Sequence, residues 1–76
     1  MMFREEGIAM VIIKWTYKFS NETGYVASLS TKNKCFYNTF DQSEAKQYSE
    51  KSVATLMSKL ASYHETDDND FEVIPV

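Results

Sequence analysis

One cysteine, Cys35, is the whole thiol content of the chain. No intrachain disulfide can form, which excludes the stapled scaffolds of small secreted proteins. One histidine, His64, leaves Cys35 a single possible imidazole partner. The two glycines, Gly7 and Gly24, are far apart, so neither a dinucleotide-binding GxGxxG turn nor a Walker loop is present. The longest apolar run, Ile8 to Ile13, falls far short of the roughly 20 residues a membrane-spanning helix needs. The start, Met1-Met2-Phe3-Arg4-Glu5-Glu6, lacks the basic and apolar regions of a signal peptide. A cytoplasmic location, with no membrane partner, is the expectation that remains.

What is present suits one small domain. A 76-residue chain buries only about 60% of its unfolded surface, so its core is thin. Five Tyr, five Phe and one Trp can fill such a core and also supply contact surface. Charge is divided along the chain. Residues 1–40 set Arg4, Lys14, Lys18, Lys32 and Lys34 against Glu5, Glu6 and Glu22, a net +2. Residues 41–76 set Lys46, Lys51 and Lys59 against Asp41, Glu44, Glu50, Glu65, Asp67, Asp68, Asp70 and Glu72, a net −5. A nucleic-acid surface belongs in the first half and a surface for a basic partner in the second.

Periodicity predicts the architecture. Val11, Ile13, Trp15, Tyr17 and Phe19 alternate with Ile12, Lys14, Thr16 and Lys18, the pattern of a half-buried strand. Ser20 to Gly24 reads as a turn ending in a glycine able to take positive φ. A second strand over Tyr25–Thr31 brings apolar faces together if Phe19 meets Tyr25, Tyr17 meets Ala27 and Trp15 meets Leu29. A two-residue turn at Lys32-Asn33 leads to a third strand, Cys35–Phe40, with Phe36 beside Leu29 and Phe40 beside Tyr25. Residues 41–48 fit either a helical turn or an extended link. Ser49 reads as an N-cap with Glu50 in the first turn. Val53, Leu56, Met57, Leu60 and Tyr63 then recur at helical spacing. A polar loop, Glu65–Asp70, precedes a last strand from Phe71 to Val76, with Pro75 admissible at a strand end. The expected fold is α+β: an antiparallel sheet of β-β-β-α-β order with one helix packed on one face. Met10 is the expected start of this domain, residues 10–76. Residues 1–9 then form a leader or extension, because Glu5-Glu6-Gly7 is encodable by a ribosome-binding sequence just upstream of Met10. A native product whose mass matches initiation at Met1 would refute that start.

Catalysis finds little support in these residues. A Cys/His nucleophilic pair needs contact, yet Cys35 is expected at a strand start on the helix-free face and His64 at the helix end. No enzymatic activity and no cofactor are expected. His64, Asp67, Asp68 and Asp70 are the candidate metal ligands, but they lack the cysteine pairs of a zinc site and the glycine and distal Glu of an EF-hand loop; a solvated loop is the plainer reading. Lys14, Lys18 and Tyr37, with Lys32 and Lys34 at the rim, are the candidate nucleic-acid face, against which the overall acidity counts. Glu65, Asp67, Asp68, Asp70 and Glu72 are the stronger candidates for partner binding. Clustered carboxylates offer Arg and Lys the same kind of acceptors as phosphates. The plainer reading is again a solubilising loop. A thin core and an exposed strand edge also admit a homodimer.

The segments Ala45-Lys46-Gln47-Tyr48-Ser49, Val53-Ala54, Leu60 and Phe71-Glu72-Val73-Ile74 carry a resemblance over residues 45–76. They resemble small proteins of phages and prophages of Gram-positive bacteria, in which a short sheet is followed by an A-K-x-aromatic-S/T segment, one helix and a last strand. The resemblance implies a host-takeover factor or an anti-CRISPR inhibitor. Its partner would be a host protein such as a CRISPR effector nuclease, met in the host cytoplasm. It transfers no functional residue. The alternative expectation is a small nucleic-acid-binding regulator using Lys14, Lys18 and Tyr37.

Overall fold

The computed structural model describes residues 9–63 and 68–76. Its elements run β1 (Met10–Tyr17), β2 (Thr23–Ser30), β3 (Cys35–Thr39), a 3-10 turn (Gln42–Glu44), β4 (Tyr48–Ser49), a second 3-10 turn (Glu50–Ser52), α1 (Val53–Ser62) and β5 (Asn69–Pro75). This is an α+β fold: a curled antiparallel sheet with one helix, in the expected order apart from the short extra strand β4. Residues 41–48, ambiguous by sequence, combine both readings as a 3-10 turn followed by an extended stretch.

β1 is central. Along its whole length it pairs with β5, from Val11 opposite Pro75 to Tyr17 opposite Asn69. Its other edge is shared: Lys14–Thr16 pair with β2, and Met10 and Val11 pair with β4. Where β2 leaves β1, the chain after β3 fills the gap. The Lys46 amide donates to the Val26 carbonyl (3.1 Å), and the Glu50 amide to the Ala9 carbonyl (2.9 Å). The split therefore leaves those two carbonyls with partners.

Strand periodicity holds within β1, but the expected pairing with β2 does not. Trp15 sits opposite Gly24 rather than Leu29, and Tyr25 opposite Lys14 rather than Phe19. Four residues, 18–21, close this hairpin through Tyr17 and Glu22, whose backbone bond is 2.8 Å. The left-handed residue is Asn21 at φ 61°, whereas Gly24 has no positive φ. With the turn moved towards the N-terminus, Phe19 falls in the loop and is 74% exposed, and Tyr17 is 36% exposed. Phe19 therefore leaves the core face on which it was expected, while Tyr17 keeps the side of Trp15 but stays outside the buried core. Ile12, expected on the open face, is buried. It lines a cleft with Gln42, Ser43, Ala45, Gln47 and Val76, so the segment after β3 lies over that end of the sheet.

The second hairpin repeats the device. Residues 31–34 turn, and Lys34 rather than Asn33 is left-handed, at φ 54°. Phe36 does pair with Leu29. A register shift between Val26 and Ser28 then moves Tyr25 opposite Thr39 instead of Phe40. A bulge of this kind inverts the facing of a strand from one side of it to the other. Val26 and Leu29 consequently both reach the core, and Tyr25 does not.

The core gathers Ile13, Trp15, Val26, Leu56, Leu60 and Tyr63, with Leu29, Phe36, Tyr48, Met57 and Phe71 packed against it. The helix supplies its i, i+4 and next-turn residues, as its spacing predicts. The Ser49 hydroxyl accepts from the Lys51 amide at 3.2 Å, so Ser49 is the cap of the turn that leads into α1. Phe36 of β3 meets Phe71 of β5 edge to face at 5.4 Å. Those strands are separated by β2 and β1 in the sheet, so the sheet wraps until its two ends touch across the helix-bearing face.

Candidate functional site

The wrapped sheet leaves part of its inner face open beyond the helix. Alternate residues of β1 place Trp15 and then Tyr17 there, and alternate residues of β3 place Phe36 and Asn38 opposite them. Asn69 joins beside Tyr17 as its β5 partner, and Glu22 joins on the other flank as the residue that closes the first hairpin. Among the described residues these six line a cleft of about 240 Å³. The Trp15 indole N–H is already donated to the Tyr25 carbonyl at 3.2 Å, so Trp15 offers the cleft its ring rather than a hydrogen bond. Phe40 packs edge-on against Trp15 at 5.7 Å, and Phe19 against Tyr17 at 5.4 Å. Both outer rings are largely exposed. A small domain that leaves these rings in water carries an apolar contact surface.

The charged candidates fall on β1, β5 and the loop before β5. Glu65, Asp67 and His64 lie outside the described residues. Asp68, Asp70 and Glu72 are all exposed at the start of β5. The register that joins β1 to β5 mixes the two opposing sets foreseen from sequence. Lys14 is the cross-strand partner of Glu72. Lys18 Nζ stands 4.0 Å from Asp70 Oδ1, with both side chains in water. Such a surface pair adds little stability, but the register places a carboxylate beside both Lys14 and Lys18 of the candidate nucleic-acid face. Tyr37 lies two strands away on β3, opposite Ser28, with its hydroxyl accepting from Asn33 Nδ2 at 3.4 Å. Cys35 starts β3, half-buried opposite Ser30. Among the described residues, no three His, Cys, Asp or Glu side chains gather as a metal site.

Among the described residues two titratable groups are shifted, each for a structural cause. The Ser43 hydroxyl and backbone amide hold the Asp41 carboxyl below its ordinary range, because both donate to it as it caps the 3-10 turn. Burial, and secondarily the neighbouring Tyr63, push the Tyr48 phenol up. The Lys46 ammonium lies 5.7 Å from the Tyr48 ring centre, the arrangement of a cation–π contact.

No helix among the described residues is long and apolar enough to cross a membrane. The chain matches no protein-family model, and comparison with curated proteins and with solved structures likewise gives no match.

The acidic cluster was visible in the sequence. The cleft was not, because its six residues come from four separate segments brought together by the curl and by one bulge. Its available signal was the excess of aromatic residues over what so thin a core can hold.

Proposed function

We propose that this is a non-enzymatic, phage-type protein that binds and inhibits a host protein in the host cytoplasm, most concretely an anti-CRISPR that blocks an RNA-guided nuclease. The observation that carries the reading is the run of five carboxylates from Glu65 to Glu72, of which Asp68, Asp70 and Glu72 stand exposed where β5 begins. Carboxylates in such a cluster present basic side chains with acceptors like those of a phosphate backbone. Asp70 and Glu72 lie next to Lys18 and Lys14. The resemblance over residues 45–76 supports the phage origin.

The test is capture of partners by the tagged protein from lysate of a CRISPR-bearing Gram-positive host, with and without nuclease. A stoichiometric protein partner that survives digestion is expected. Its affinity should fall, and its salt dependence flatten, when Asp67, Asp68 and Asp70 are all changed to Asn. Each neutralised contact of this charge-assisted kind weakens binding by about 1 kcal/mol or more. Unchanged affinity in the triple variant would remove the acidic surface from the mechanism. Recovery of nucleic acid alone, lost on digestion, would transfer the function to a nucleic-acid regulator.

A further inference from the structure

The cleft between β1 and β3 has walls of one kind and a charge of one sign. Trp15, Tyr17 and Phe36 supply aromatic surface, Glu22 is the one charged side chain among the described lining residues, and Asn38 and Asn69 add amides. Aromatic faces carry negative charge density and attract cations, most strongly over Trp and Tyr. A carboxylate at the same mouth adds to that attraction and repels phosphate. The net charge of −3 acts in the same direction. At about 240 Å³ the cleft is smaller than the roughly 300–1,000 Å³ of sites for drug-sized ligands. It is on the scale of one side chain.

We infer that this cleft binds the arginine side chain of a partner polypeptide, the guanidinium stacked against Tyr17 and paired with the Glu22 carboxylate, with the buried Trp15 in the wall behind them. Arginine fits better than lysine for three reasons. Its planar head stacks on aromatic rings, its forked donors match a carboxylate, and it gives up less hydration on entering. One of its remaining donors can meet the amide carbonyl of Asn38, which also lines the cleft. Phe19 packs on Tyr17 and Phe40 on Trp15, and both rings are largely exposed. The assignment does not depend on which host protein is bound.

The chain's single tryptophan makes the site directly readable. The whole protein is titrated with N-acetyl-arginine amide, with its lysine counterpart, with the neutral citrulline counterpart and with adenosine monophosphate. The Trp15 emission and indole N–H resonance are followed throughout. Arginine should give a saturable change with a dissociation constant in the millimolar range, as suits a ligand this small. Lysine should bind more weakly and citrulline should give no saturable change. Glu22→Gln should weaken arginine binding about tenfold. The Glu22 side chain is exposed and its hairpin contact to Tyr17 is made by its backbone, so this variant keeps the fold. Its unfolding midpoint verifies that. Equal binding of citrulline and arginine, tighter binding of adenosine monophosphate, undiminished affinity in Glu22→Gln, or no saturable change with arginine would each overturn the assignment.

Discussion

Gly24 shows how one residue can decide the placement of a whole face. It lies opposite Trp15 across the β1–β2 pair. A Cβ built on it would stand 2.6 Å from Trp15 Cε2 and 2.9 Å from the Thr39 carbonyl oxygen, and nearer still to Trp15 Cζ2. The indole therefore lies flat across β2, where only a residue without a side chain admits it. From that position it donates to the Tyr25 carbonyl and packs against Phe40. The glycine is needed for close approach, not for turning. Gly24→Ala must push back a ring that is 4% exposed and held on several sides. Overpacking of this kind costs about 1–3 kcal/mol. The expected result in urea unfolding is a lowered midpoint with an unchanged slope, together with a shifted Trp15 emission. A midpoint equal to that of the parent would show that the indole moves aside freely and that Gly24 has no such role.

At the level of elements, local signals were legible and long-range register was not. The helix could be read because its apolar residues, Leu56, Leu60 and Tyr63, all follow from one period, and because Ser49 caps its own neighbour. The Leu29–Phe36 pairing was legible for the same reason: its turn is close by. The β1–β2 pairing was misread because Tyr25, Ala27 and Leu29 offer a tidy alternating face. The real strand uses Gly24 and Val26 up to the bulge and Leu29 after it. Two features that periodicity cannot encode set this arrangement: the left-handed Asn21 and the extra residue at the bulge. The candidate sites divide along the same line. The acidic run is a property of consecutive residues. The pairing of Lys14 with Glu72, and the meeting of Trp15, Tyr17 and Glu22 with Phe36 and Asn38, depend on strands far apart in the chain.

For the molecule as a whole, the central strand is completed by the last segment of the chain. Seven residues of β1 pair with seven of β5, from Val11–Pro75 to Tyr17–Asn69. Among the described residues no other strand pairs with so much of β1; β2 and β4 divide its other edge between them. β5 also carries Phe71, which closes the curl against Phe36. Removing it uncovers one flank of Ile13 and Trp15 and leaves seven residues of β1 without strand partners on that edge. A domain of this size has only a few kcal/mol in reserve, and the loss of a strand and an aromatic contact exceeds that. A chain ending at Asp68 is therefore expected to lose cooperative thermal unfolding, and its Trp15 emission should move to that of a ring in water. Adding a peptide of residues 69–76 in excess should restore part of the native signal, since the missing strand acts as a ligand for the folded form alone. A truncated chain that still unfolds cooperatively with Trp15 buried would mean that β2, β3 and α1 form a self-sufficient core, and that β5 is an attachment to the fold rather than the strand that closes it.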